Sequence, residues 1–411
     1  FLAQDRDNFV QDEADEHLDS HPYMDAFTEG LGGNAYGGTY IIDEAAAFYK
    51  KDGDKWAHVT DEERMLHFRE EGYAKMVENM RQLCHVRCDF DKWFSERTVY
   101  IKDTEGEHAG TSAVDRAFAK LDEMGYLYNK DGALWFRSTD LGDDKDRVLV
   151  KANGEYTYFA SDVAYKFQRV DHVIDIWGCD HHGYINRVRC VCDALGYPGQ
   201  FEVLLGQFVN LLRNGKPIRM SKRKGTMVTF QELVDEVGAD ATRYTLISRS
   251  SNQAIDFDIE AVKEKSQNNP VYYVQYAHAR ICSILRKAAG VTPEEAAEMG
   301  MDAVAAKAIG ENVDYALLTD PTELALSRKI SELEDLIASC ARDRAPFRLT
   351  HFAEELAAGF HSFYQACQVL PSEGRPVDAE LSRARLAACD AVRSVLELVL
   401  SLIGVSAPTT M

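Results

Sequence analysis

Between Arg147 and Leu212 short apolar strands alternate with helical segments, and from Thr229 onward strand signals stop. That switch constrains the fold more than any other property of the chain. Val173-Ile174-Asp175-Ile176-Trp177 reads as a short apolar strand, His182 to Leu195 as a helix closed by Gly196, and Val203-Leu204-Leu205 and Phe208 to Leu212 as strands. Strand–helix alternation at this spacing predicts a parallel α/β sheet. Just upstream, Ala133–Phe136 and Arg147–Lys151 predict strands, with Asn153-Gly154 as a tight hairpin turn before Tyr156 and a helix over Ser161–Gln168. Earlier still, Met65, Phe68, Tyr73, Met76, Met80 and Leu83 predict helices, and Val114, Phe118 and Leu121 another that ends at Gly125. After Thr229, long helical patterns run to Leu402, broken at Gly290–Pro293, Asp320-Pro321 and Pro371–Pro376. These predict an all-α bundle. Residues 1 to about 40 are acidic and Gly-rich and read as a poorly packed lead-in.

Charge then singles out one segment. The 411-residue chain carries a formal charge of −21, yet Arg213 to Lys224 packs six basic side chains and no acid. Gly215, Pro217 and Gly225 bracket the run, so it reads as a loop. Lysine, arginine, serine and backbone N–H groups together suit a polyphosphate. A solvated basic turn or a nucleic-acid patch is the plainer alternative. Strong acidity argues against non-specific nucleic-acid binding, but screening over roughly 8 Å lets a local basic face act alone. No apolar run reaches the length of a membrane span. Nine scattered cysteines without a CxxC pair suit reduced thiols, so a cytoplasmic location is expected, with no membrane or DNA partner.

In an open parallel sheet, ligands sit at the carboxyl ends of strands. Three segments reach that position: Tyr156–Asp162, Trp177–Gly183, and the basic loop. Gly178 allows close backbone approach, Asp180 can accept from a ribose hydroxyl, and His181 and His182 can meet phosphate. A metal site or a helix cap is the alternative for Asp-His-His. Adjacent histidines do not easily share one ion and no well-spaced third ligand is evident, so no metal is expected. Asp162 has its own alternative, an exposed ion pair with Lys166 one turn on.

With these stretches in place, the chain resembles a class I aminoacyl-tRNA synthetase of the arginyl type. The resemblance rests on AYGGTYIIDEAAAF (35–48), DGALWFRSTDLGDDKDRVLVKANGEYTYFASDVAYK (131–166), WGCDHHGYINRV (177–188), IRMSKRKGTMVTFQELVDEVGADATRY (218–244), NPVYYVQYAHAR (269–280) and LIGVSAPTTM (402–411). It implies an acidic lead-in at 1–34, a Rossmann-type catalytic domain at 35–228, incomplete at its N-terminus, and an all-α anticodon-binding domain at 229–411. The implied reaction joins arginine to tRNA(Arg) at the expense of ATP, with Mg2+ as cofactor. The basic loop matches the class signature usually written KMSKS. Arg219, Ser221 and Lys222 are then the catalytic residues, with Lys222 neutralising the departing pyrophosphate, worth about 100- to 1,000-fold in rate. Met220, Gly178, Asp180 and His181 match the ATP-binding positions. Tyr158 and Asp162 match the arginine-binding pair, on one face if a helix begins by Tyr158.

For tRNA, Tyr272, Tyr276 and Arg280 combine aromatic faces with a base on one helix. Core packing of Tyr273 and Tyr276 at helical spacing is the alternative. The resemblance adds Tyr364 and Met411. The second class signature, of the His-x-Gly-His type, is not found in this sequence. The chain is therefore expected to be a fragment, activating arginine poorly or not at all alone. A non-catalytic tRNA-binding paralogue, a cysteinyl-type synthetase and a different nucleotidyl transferase are the competing readings.

Overall fold

The computed structural model describes residues 39–82, 88–167, 172–218, 228–266 and 268–411. The chain divides into two compact units, one of residues 90–209 and 249–255, the other of the remainder. The first described elements are helices α1 (Thr39–Asp52) and α2 (Asp61–Gln82). Thr60 and Glu63 start α2 with a reciprocal capping box, Glu63 accepting from the Thr60 amide at 3.1 Å. Between the helices Trp56 stacks on His67 with ring centres 3.7 Å apart. Met65, Phe68, Tyr73, Met76 and Met80 form the helix the periodicity predicts, but all five are exposed.

The first α-helix of the unit of residues 90–209 is α3 (Ala113–Glu123), capped by a reciprocal Ser112–Asp115 box and burying Val114, Ala117 and Leu121. Strands β1 (Leu127–Lys130), β2 (Ala133–Phe136) and β3 (Arg147–Val150) form an antiparallel sheet in that order. The expected turn follows: Gly154, at φ +83°, donates to Lys151 O at 2.9 Å, and Tyr156 bridges back to Val150. Helix α4 (Tyr158–Phe167) comes next. It starts three residues earlier than predicted because Thr157 ties its entry to β3, its hydroxyl lying 2.9 Å from Val148 O. Strand β4 (Val173–Gly178), helix α5 (Ile185–Ala194) and strand β5 (Phe201–Gly206) complete a parallel crossover. β4 and β5 pair one to one, from Val173 with Phe201 to Gly178 with Gly206. Residues 179–184, predicted as helix from His182, form a 3-10 turn instead. The core gathers Val99, Leu121, Phe136, Leu149, Val163 and Val191, all essentially without solvent contact.

In the other unit, β6 (Val209–Arg213), β7 (Lys216–Pro217) and β8 (Ile255–Asp258) form a sheet in the order β7-β6-β8. β8 corrects the expectation that strands end at Thr229. Its Ile255-Asp256-Phe257-Asp258 alternation buries Phe257 and leaves Asp256 in solvent. Helices α6 (Phe230–Val237), α7 (Ala239–Ile247) and α8 (Ile259–Lys263) surround it in sequence. The bundle follows as α9 (Pro270–Ala289), α10 (Pro293–Met299), α11 (Met301–Ile309), α12 (Pro321–Ser331), α13 (Leu333–Asp343), α14 (Phe347–Ala366) and α15 (Ala379–Leu402). Prolines open α9, α10 and α12, where a missing N–H costs nothing. α9 packs against α11, α14 and α15 around Leu285, Leu356, Phe360 and Leu396. Truncating a phenylalanine of this kind to alanine costs about 3–5 kcal/mol.

The C-terminal residues return along α9. Gln275 donates to Ser406 O at 3.0 Å, His278 Nδ1 to Pro408 O at 2.9 Å, and Arg286 to Thr409 O at 2.8 Å. Asp240 of α7 accepts from the Ser406 amide at 3.0 Å. Among the described residues no helix is long and apolar enough to cross a membrane. The eight described cysteines are unpaired thiols.

Candidate functional site

Helix α4 begins at Tyr158, so Tyr158 and Asp162 share a face one turn apart. Tyr158 is 87% exposed. The alternative pairing for Asp162 does not form. Lys166 is buried and turns to Asp175 of β4, its Nζ 2.5 and 2.6 Å from the two carboxylate oxygens. Asp162 has no hydrogen-bond or ion-pair partner among the described residues. Although Asp162 is open to solvent, partial burial is the chief cause that holds its carboxyl above the ordinary aspartate range. Lys166 pulls it back, Asp175 and Glu96 push it further up, and Arg187 pulls it down. An unpaired carboxylate raised in this way is poised for a cation.

Glu96 is a carboxylate near this face that sequence reasoning missed. It opens a 3-10 turn, Glu96–Tyr100, and its Oε1 lies 2.5 Å from Ser161 Oγ. Ser161 is buried within α4 and also lies 2.8 Å from Tyr158 O. One serine thus connects a second carboxylate to the face that holds Tyr158 and Asp162. Arg187, in the first turn of α5, lies 4.1 Å from the centre of the Tyr184 ring.

Strand β4 ends at Gly178, and the turn after it carries Asp180 and His181. A Cβ at Gly178 would lie 2.7 Å from Asp180 Oδ1 and would turn that carboxylate aside. His181 Nε2 is 3.8 Å from Asp180 Oδ2, and its ring centre is 5.7 Å from that of Tyr184. Gly178, Asp180 and His181 stand at the carboxyl end of β4, where the parallel-sheet rule places ligands. Among the described residues, no group of three or more His, Cys, Asp or Glu side chains is placed to hold a metal ion. Arg219, Met220, Ser221 and Lys222 lie outside the described residues.

On the helical bundle, Tyr276 and Arg280 of α9 meet Tyr364 of α14. The Arg280 guanidinium lies 4.5 Å from the Tyr364 ring centre and 5.9 Å from that of Tyr276. Cation–π contacts of this kind hold an arginine side chain extended over the rings. His361, not anticipated, sits 5.2 Å from Tyr273 and 6.0 Å from Tyr276 between ring centres. Its buried Nε2 has no hydrogen-bond partner. Burial, and then Arg280, lower its pKa, which keeps the ring neutral. Tyr276 is 37% exposed while Tyr272 and Tyr273 are half-buried. Met411 is exposed at the end of the segment that α9 holds.

Comparison with known proteins converges on one family. A family profile described as tRNA synthetases class I (R), catalytic domain, matches residues 40–284. A second, the DALR anticodon binding domain, matches residues 274–411. The arginine–tRNA ligase of Oceanobacillus iheyensis is 42% identical over 384 residues, covering 92% of this chain and 64% of the relative. That of Staphylococcus aureus is 41% identical over 397 residues, covering 94% of this chain and 67% of the relative. A solved chain from Campylobacter jejuni, described as an arginyl-tRNA synthetase, superposes with a TM-score of 0.75 at 27% identity, covering 94% of this chain and 80% of that one. The chain spans 64% of the first of these relatives, so they are longer than it.

Proposed function

The chain belongs to the class I tRNA synthetases of the arginine type, and from that premise we propose that it carries the arginine-binding, ATP-binding and tRNA-binding parts of an arginine–tRNA ligase. The overall reaction is arginine + ATP + tRNA(Arg) → arginyl-tRNA + AMP + pyrophosphate. The arginine carboxylate attacks the ATP α-phosphate, and the tRNA 3′-terminal ribose then takes the arginyl group. Mg2+ enters bound to the phosphates of ATP. The protein contributes position and charge rather than covalent chemistry. The catalytic part is proposed at 35–228 and the anticodon-binding part at 229–411, after the lead-in at 1–34.

Asp162 binds the substrate guanidinium through a carboxylate fork. Glu96 adds a second negative charge, and Tyr158 forms the wall. Gly178, Asp180 and His181 receive the adenosine, while Arg219, Met220, Ser221 and Lys222 receive the phosphates, with Lys222 on the departing pyrophosphate. Tyr272, Tyr276, Arg280, Tyr364 and Met411 meet the anticodon arm, by stacking and by one cation.

The observation that carries this reading is the diversion of Lys166 to Asp175. It leaves Asp162 unpartnered beside an open tyrosine, which is what a guanidinium needs. Calorimetric titration with L-arginine and with L-citrulline, its uncharged analogue, tests the reading. L-arginine is expected to bind and L-citrulline not. Asp162→Asn should weaken arginine binding by about 30-fold or more, the effect of truncating one partner of a desolvated charge pair. Equal binding of the two ligands, or undiminished binding by the variant, would sink the assignment.

A further inference from the structure

Lys166 stands one helical turn after Asp162 on α4, the spacing at which side chains of a helix meet. Its ammonium bonds Asp175 of β4 instead, 2.5 and 2.6 Å from the two carboxylate oxygens. The Lys166 side chain is 5% exposed, and its Nζ lies 5.3 Å from the ring centre of Phe201 on β5 and 5.5 Å from that of Tyr165. Burial is the chief cause of the raised Asp162 pKa, but Lys166 and Asp175 act on it next, with opposite signs. The three charged groups therefore share one electrostatic neighbourhood.

In that neighbourhood Asp175 does more than complete an ion pair. A buried ammonium stripped of its carboxylate is strongly unfavourable, and it turns to the next anion within reach. For Lys166 that anion is Asp162, four residues back on the same helix and without a partner of its own. The ammonium would then take the place proposed for the substrate guanidinium, as a competitor attached to the protein itself.

We propose that Asp175 is a positioning residue for arginine, which holds Lys166 and so keeps an internal competitor off Asp162. The inference rests on the reading of Asp162 as the guanidinium site. It gives a role in substrate binding to a carboxylate that acts only through a lysine.

Calorimetric titration with L-arginine tests the proposal through a double-mutant cycle. Asp175→Asn is expected to weaken L-arginine binding about tenfold, the loss that follows when Lys166 occupies Asp162 about nine-tenths of the time. Adding Lys166→Met, which keeps much of the bulk without the charge, should return the affinity to within about twofold of the unaltered chain. Lys166→Met alone should also bind within about twofold, because Asp175 already holds Lys166 away. If the two charges acted only by their fields, the effects would add, and Lys166→Met alone would tighten binding about tenfold. That result, no rescue in the double variant, or undiminished binding by Asp175→Asn overturns the proposal.

Thermal melts at pH 7 test the exchange of partners without arginine. Asp162→Asn is expected to raise the melting temperature of the unaltered chain, by removing an unpartnered carboxylate. On the Asp175→Asn background it should lower it, since Lys166 then has neither carboxylate. The same sign in both backgrounds, or an Asp175→Asn protein that does not fold, shows that Lys166 does not turn to Asp162 and also overturns the proposal. Failure of L-arginine to bind the unaltered chain overturns instead the guanidinium reading of Asp162, and the melts then still decide whether Lys166 exchanges carboxylates.

Discussion

In the role proposed for it, Asp162 faces two opposed demands. A guanidinium site needs an ionised, unpartnered carboxylate, and an unpartnered carboxylate partly withdrawn from water destabilises the fold that holds it. The sign follows from proton linkage. The folded-state pKa of Asp162 is raised, chiefly by desolvation. Between its unfolded value and that raised value the folded state binds more protons, so stability falls as pH rises through this window. The loss then persists at neutral pH. Asp162→Asn removes the penalty. It is expected to melt higher than the unaltered chain at pH 7, with the gain disappearing as pH drops below the unfolded aspartate pKa. Thermal melts of both proteins from pH 3 to pH 8 check this. A variant that melts lower at pH 7 would mean that Asp162 holds the fold together rather than waiting for a ligand. Saturating L-arginine should reverse the order, since only the aspartate form gains from binding.

At the scale of elements, the turn after β4 sets its own constraint. Gly178→Ala places a Cβ 2.7 Å from Asp180 Oδ1, so the carboxylate must move. Asp180 is exposed, so its carboxylate can turn away at little cost to the fold but leaves the place it would hold for a ligand. The cost should fall on ATP binding, with L-arginine affinity unchanged; equal loss of both in a binding titration would argue against a local nucleotide role for the turn. Legibility in the sequence also varied by element. β2 and β4 could be read because their apolar runs are bounded by Gly or by polar turns. β1 could not, since Asn129 and Lys130 make half of it polar and exposed. β8 is four residues long and two of them are aspartates, so its alternation was lost among helical patterns. The spacing of Tyr158 and Asp162 on one helix was local and therefore visible. Glu96 lies 65 residues from its partner Ser161, and no short-range pattern reports a contact so distant in sequence. The Lys166–Asp175 pair shows the same limit. Lys166 sits four residues from one aspartate and nine from another, and only the tertiary structure decides between them. The segment with Arg219 and Lys222 was the most legible feature of the sequence and lies outside the described residues.

For the whole molecule, a formal charge of −21 bears on the proposed binding of tRNA. A polyanion gains little from such a protein at long range, and non-specific binding driven by counterion release should be weak. The described cluster proposed for tRNA offers two aromatic rings to one cation: Tyr276 and Tyr364 beside Arg280. Binding should therefore depend on stacking more than on charge, and the two can be separated by salt. Arg280→Ala is expected to weaken tRNA(Arg) binding and to reduce the slope of log affinity against log salt by about 1, the mark of one lost phosphate contact. Tyr364→Ala should cost about 1–3 kcal/mol with the slope unchanged, the mark of a lost base stack. Filter binding across a salt series distinguishes the two variants. If Tyr364→Ala changes the slope and Arg280→Ala does not, the arginine is only a prop for the tyrosine ring 4.5 Å away, and phosphate contact must come from elsewhere in the chain.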